Sequence, residues 1–232
     1  MKNNPSIYFD IWRKKNFKKL VKAYTKVAET YSNKTSMREN FGDFLDRYVD
    51  SRGSYAGTVK QWNSAYTLGR ELGVFYMENE QSGYDLSPLA NATLTSQITL
   101  DEYLLIYLLN LNQIINGQIV HPLKEILNVL ADNDHTITVN NIINVPAFNL
   151  SVKQTANQRQ LANVFLHRLV EAQILEKIDA TTYRLTSNYA LNYLYDSLYE
   201  FNGTLEEFHD YEHEQYVEIL SQPVNLVPHY RP

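Results

Sequence analysis

The feature that most constrains this chain is an internal repeat at a spacing of about one hundred residues. Glu71, Val74, Phe75, Tyr84, Leu86 and Ser87 occur in order in the first copy, and Glu171, Ile174, Leu175, Tyr183, Leu185 and Thr186 in the second. The chemistry matches place by place, and self-similarity at a fixed period is the mark of a supersecondary unit used more than once. In each copy a helical pattern runs into two short β-prone segments parted by polar residues: Val74 to Met77 and Tyr84 to Leu86, then Ile174-Leu175 and Tyr183 to Leu185. A helix that feeds a hairpin after two shorter helices has the order of a winged helix, whose last helix enters the DNA major groove. The sequence therefore predicts a mainly α chain with small β-hairpins, organised as tandem winged-helix (helix-turn-helix) units. The same order serves in modules that bind only proteins, so fold alone does not assign the partner.

Apolar spacing places the remaining elements. Phe17, Leu20, Val21, Tyr24, Val27, Ala28 and Tyr31 recur every three or four residues, predicting an amphipathic helix with Lys on its other side. A second helix is predicted at 37–49, with Ser36 and Glu39 at capping-box spacing, and a third at 58–72 that stops at Gly73. Thr99 and Glu102 repeat that spacing ahead of a strongly apolar helix expected to run through Ile115 and end at Asn116-Gly117. Pro122 opens the next helix, which buries Leu123, Ile126, Leu127 and Leu130. Thr138 to Ile143 reads as a short helix, and Asn157 to Ala172 as a long one facing Leu161, Val164, Phe165, Leu169 and Ala172 inward. Two more helices are expected near 188–199 and 204–220, with Tyr189, Tyr193, Tyr195 and Tyr199 read as a core stripe in preference to a base-stacking surface. The domain reading is a basic N-terminal helix at 1–35, winged-helix units at 36–98 and 99–187, C-terminal helices at 188–220, and a proline-containing linker or tail at 221–232.

Charge is divided unevenly. Residues 1–60 hold 13 Lys and Arg against 6 Asp and Glu, while residues 61–232 hold 8 against 20, within a net charge of −5. Arg13, Lys14, Lys15, Lys18, Lys19, Lys22 and Lys26 crowd one segment and suit a polyanion. The absence of Cys excludes a disulfide scaffold, Cys-ligated zinc and thiol catalysis, and suits a reducing compartment, so a cytoplasmic location is expected. The N-terminus lacks the apolar run of a signal peptide, and Tyr103 to Leu111 falls short of the roughly 20 residues that span a bilayer, so no membrane partner is expected. No Gly-rich phosphate loop occurs and no cofactor is expected.

If the third helix of each unit enters the groove, base contacts come from its polar side. That side offers Thr58, Lys60, Gln61, Asn63, Ser64, Thr67 and Arg70 in the first unit, and Gln158, Arg159, Asn163 and His167 in the second. Arg pairs two acceptors on guanine, and Asn or Gln pairs both groups on the adenine edge. Lys153, Arg159, Arg168 and Arg184 are the expected phosphate contacts of the second unit, with Lys15, Lys18, Lys19, Lys22 and Lys26 supplied by the first helix. The acidic total after residue 60 argues against non-specific coating of DNA and for a short, specific site.

GlyThrValLysGlnTrpAsnSer from Gly57, LeuGlyVal from Leu72, TyrAspLeuSerProLeuAla from Tyr84, IleThrLeuAspGluTyrLeu from Ile98 and HisProLeuLysGluIleLeu from His121 carry a resemblance. Over roughly residues 40–200 the chain resembles the DNA-recognition regions of bacterial restriction endonucleases and related phage-defence proteins. In that group tandem winged helices select the site and a separate nuclease domain cuts. The resemblance implies a sequence-specific double-stranded DNA-binding module of a restriction or defence system, served by a nuclease domain or subunit. The common restriction nuclease needs paired carboxylates for a divalent metal and a Lys two residues after an acid. None of the 12 Lys has Asp or Glu two positions before it, so no nuclease site and no catalytic residue is expected here.

Two other classes stand beside this reading. A winged-helix protein-interaction or regulatory adaptor would dock an acidic partner on the Lys-rich helix. A metal hydrolase would use His209 and His213, spaced as in the inverted zinc-protease pattern, with Glu206 as a third ligand. The acidic setting and the few ligands downstream count against the hydrolase, and no metal site is expected. His121 and His135 border helices and are expected as polar caps or surface residues.

Overall fold

The computed structural model describes residues 17–31, 35–37, 39–40, 72–79, 83–153 and 155–210. They are mainly helical with small antiparallel sheets. Contacts divide them into two compact units, 17–103 and 104–210. No helix among the described residues is long and apolar enough to cross a membrane.

In the first unit α1 (Phe17–Thr30) forms where the apolar spacing predicts it, burying Val21, Ala23, Tyr24, Val27 and Ala28. Residues 35–37 and 39–40 are helical, which places Ser36 inside a helix already begun instead of at its cap. The expected helix at 58–72 lies outside the described residues, apart from Leu72. β1 (Phe75–Asn79) and β2 (Gly83–Leu86) pair antiparallel from Phe75↔Leu86, with a bulge between Met77 and Asn79. Next comes α2 (Pro88–Leu94), a helix the pattern reading leaves out although its start signal is plain. Ser87 caps it by accepting from Ala90 N–H at 3.0 Å, and Pro88 takes the first turn.

α3 (Leu100–Asn110) opens with the expected capping box: Thr99 N–H donates to Glu102 Oε2 at 2.6 Å and Glu102 N–H to Thr99 Oγ1 at 3.2 Å. Tyr103 to Asn110 are all buried, as suits a helix that is apolar on every side. The helix ends five residues before the expected Ile115. Residues beyond it form β3 (Gln113–Ile115) and β4 (Gln118–Val120), joined by Asn116-Gly117 with φ of 49° and 75°. Two left-handed residues in succession make the tight turn whose twist matches a hairpin, and Asn-Gly is the pair that adopts it at least cost.

The rest of the second unit is α4 (Pro122–Asp132), β5 (Thr136–Thr138), α5 (Val139–Ile143), two short 3-10 turns, α6 (Thr155–Glu171), β6 (Leu175–Lys177), β7 (Thr182–Leu185), α7 (Leu191–Asp196) and α8 (Leu205–Asp210). Strand β5 was not expected. It pairs with β7, and the three-stranded antiparallel sheet runs β5-β7-β6. Ile137, Leu175 and Tyr183 share its buried face, while Thr136, Glu176 and Arg184 share the outer one. α5 starts as predicted, with Thr138 and Asn141 completing a reciprocal cap. α7 is shorter than the expected 188–199 because Asn188 is held in a turn by Gln173 and Thr186, and residues after Leu198 leave the helix to bond elsewhere. Of the tyrosine stripe only Tyr189 is buried, stacked on Tyr193 at 6.3 Å; Tyr199 is 36% exposed. The expected helix at 204–220 is described only as α8.

The two halves of the sequence repeat close their hairpins with the same bonds. Ser87 N–H donates to Val74 O at 2.9 Å and its hydroxyl to Gly73 O at 2.6 Å. Thr186 N–H donates to Ile174 O at 3.0 Å and its hydroxyl to Gln173 O at 2.6 Å. Gly73 (φ 67°) and Gln173 (φ 60°) take the same left-handed conformation, and Val74 and Ile174 are both fully buried.

Candidate nucleic-acid interface

α6 is laid down by its own periodicity. Leu161, Ala162, Val164, Phe165, Leu166 and Leu169 are buried, and Phe165 meets Phe148 edge to face at 6.3 Å. α5 packs across its inner side. The outer side is left to Ala156, Arg159, Gln160, Asn163 and His167, which recur at three- and four-residue intervals; Arg159 and Gln160 are exposed, and Asn163 and His167 half-buried. This stripe is made of the residue types that read base edges.

Two expected contacts on α6 come out differently, and one residue that was not expected joins the stripe. Gln158 does not join the stripe, because its amide donates back to Lys153 O at 2.9 Å and Ser151 O at 3.4 Å, fixing the approach to the helix. Gln160, not singled out from the sequence, is the amide that faces outward. Arg168 is no phosphate contact. It lies on the inward stripe, three residues after Phe165 and four before Ala172, is fully buried, and donates from Nη1 to Tyr107 Oη at 2.7 Å.

The hairpin beside α6 carries its own counter-charges. Arg184 Nε and Nη2 both donate to Glu176 Oε1, at 3.0 and 2.6 Å, across the outer face of the sheet. Lys177 lies 5.8 Å from the centre of the Tyr183 ring, an arrangement that holds the cation by the ring's negative face. At the tip Asp179 accepts from the N–H groups of Thr181 at 2.8 Å and Thr182 at 2.9 Å. Those bonds, that of Thr181 first, hold its carboxyl below the ordinary range. The outer face with His135 and residues 185–192 borders an open groove of about 880 Å³.

One feature of this region escaped sequence reading although it needs no structure. From Thr136 to Val170 there is no Asp or Glu, in a chain whose 26 acids would place about four in 35 residues. β5 and α5 fall inside that stretch, and so does α6 up to its last residue, Glu171.

In the first unit the expected base contacts Lys60, Gln61, Asn63, Thr67 and Arg70 lie outside the described residues, as do Thr58, Ser64 and Lys15. Along α1, Lys18 is ion-paired with Asp101, and Lys26 with Glu29 at 2.8 Å. Lys19 and Lys22 are exposed. Among the described residues no cluster of three or more metal-binding side chains occurs; His213 and the side chain of His209 are not among them. His121 caps α4 and His135 is exposed, as expected of both. A scan against protein-family models, a search of curated proteins and a search of solved structures each found no match to this chain.

Proposed function

We propose that residues 122–185 are a winged helix that recognises duplex DNA through α6, and that the chain is a recognition module of a restriction or defence system whose nuclease is supplied elsewhere. The fold reading is supported by the order helix, strand, helix, helix, strand, strand, with β5 beside β7 and the β6–β7 hairpin as the wing. In such a fold α5 and α6 are the helix-turn-helix pair and α6 lies in the major groove.

The observation that carries the functional reading is the acid-free stretch from Thr136 to Val170. Phosphates repel carboxylates, and in this acidic protein the helix pair carries none before Glu171, the last residue of α6. With Arg159, Gln160, Asn163 and His167 outward, α6 offers paired donors and acceptors instead. The restriction-system context rests on the sequence resemblance, and the separate nuclease on the lack of an acid-x-Lys site.

Selection of bound duplexes from a randomised pool, with the full chain, tests this. An enriched motif is expected. Arg159→Ala or Asn163→Ala should each relax one position, at about 1–3 kcal/mol of discrimination. Binding that shows no motif and vanishes at modest salt would sink the reading. That outcome favours the second one, a protein-binding adaptor, for which the pairing of Arg184 with Glu176 on the wing is the supporting observation.

A further inference from the structure

We propose that His121 is a pH-operated latch: its neutral ring holds residues 198–210 against the end of α3, and a second proton on the ring releases them. The imidazole is 5% exposed and has a partner on each nitrogen. Nε2 donates to Leu109 O at 2.9 Å, and Nδ1 accepts from Lys124 N–H at 3.3 Å as the cap of α4. Only the neutral ring with its proton on Nε2 makes both bonds at once.

The ring sits where the chain's last described segment is tied down. Leu109 O, left open where α3 ends, also accepts from Tyr199 N–H at 2.9 Å. Asn112 then continues the tie, donating to Tyr199 O at 2.9 Å and accepting from Phe201 N–H at 3.2 Å. Lys124 pairs with Glu200 at 2.6 Å. Further along, Phe208 is fully buried, packed edge to face on Phe201 at 4.9 Å, and α8 lies against β4. The charged groups facing the ring are Glu200, on the tied segment, and Lys124, on the ring's own helix. From Leu104 to Val120, α3 and the β3–β4 hairpin carry no charged residue.

Protonation turns Nδ1 into a donor aimed at the Lys124 N–H, another donor, so the cap is lost. The charge lies buried beside the Leu109 carbonyl that Tyr199 shares, and attraction to Glu200 offsets only part of that cost, so the tie gives way. Burial, the largest influence, pushes the ring's pKa below the ordinary 6.5; the Leu109 carbonyl and Glu200 push back less strongly. The sign follows. The unfolded chain takes the proton near 6.5 and the folded one resists it, so the stability is whole above that value and is lost as pH falls below it.

NMR titration of the full chain from about pH 7.5 to 4.5 reads both ends of the latch. At the upper limit the ring should be the Nε2–H tautomer. It should titrate below 6.5, with the Tyr199 and Phe201 amides moving on the same curve while the β5-β7-β6 sheet stays still. In His121→Asn, whose amide still offers a donor and an acceptor, those two amides should hold their positions throughout. A ring that titrates at or above 6.5, the opposite tautomer, or the same Tyr199 and Phe201 movement in His121→Asn would each overturn the latch. Should that variant not fold, Glu200→Gln is read instead: the ring's midpoint should drop further, and an unchanged midpoint also overturns it.

Discussion

The roots of the two repeated hairpins differ instructively. Both are closed by a left-handed residue, a buried aliphatic and a hydroxyl that donates to the left-handed residue's carbonyl. The first uses Gly73, Val74 and Ser87; the second uses Gln173, Ile174 and Thr186. Glycine accepts positive φ at no steric cost, whereas Gln173 does so only because the bonds around it insist. Its side chain gives something back, since Gln173 Oε1 accepts from Asn188 Nδ2 at 3.2 Å. Ser87 goes on to cap α2 at once, while Thr186 leads into a turn. The conserved part of the design is therefore a bonding pattern, and each residue type around it is negotiable.

Replacing the buried aliphatic tests this hardest. Ile174→Ala is expected to cost about 2–5 kcal/mol in urea denaturation, and Val74→Ala about 1 kcal/mol less for the missing methylene. Equal costs would mean that the two roots are not equally packed. The hydroxyls come next. Ser87 is fully buried and serves two partners, so Ser87→Ala should cost about 2 kcal/mol, against about 1 kcal/mol for half-buried Thr186→Val. A larger loss at Thr186 would reverse that order. For the left-handed pair, Gly73→Ala should cost about 1 kcal/mol, and Gln173→Gly should change stability by less than about 1 kcal/mol, relief of strain offsetting the lost bond to Asn188 and a looser unfolded chain. The smallest effect is at the tip of the second hairpin. Asp179 holds its carboxyl below the ordinary 3.8, so what it contributes is present above that value and lost as pH falls. Thermal melts of wild type and Asp179→Asn should differ slightly at neutral pH and converge in acid; a gap that widened in acid would contradict the turn's bonding.

How much was legible depended on range. The helix caps at Thr99 and His121, the start of α5, and the inward residues of α4 and α6 follow from neighbours within two turns, and local pattern found them. β5 is three residues long and exists because β7, more than forty residues later, pairs with it; no periodicity announces such a strand. The end of α3 was misread because a continuous apolar run suits helix and buried strand alike, although Asn-Gly between isoleucines was the hairpin signal. At α6 the spacing that placed Phe165 and Leu169 inward also placed Arg168 there. Position on the helix, and not charge, decides where that side chain goes. Gln158 and Gln160 share one chemistry and differ only in angle around the helix, and the stripe Ala156, Gln160, Asn163, His167 would have separated them.

The closed roots also bear on how such a protein can be altered. Residues 73 and 87, or 173 and 186, finish their bonding before the hairpin proper begins, and the first hairpin already holds one residue more than the second between its root partners. Lengthening a closed loop adds little entropic penalty, on the order of 0.6 kcal/mol per doubling. The closed roots therefore make the hairpin tips, and not the strands, the places to splice in longer or foreign segments: β7 also pairs with β5, so the second hairpin is not exchangeable for the first.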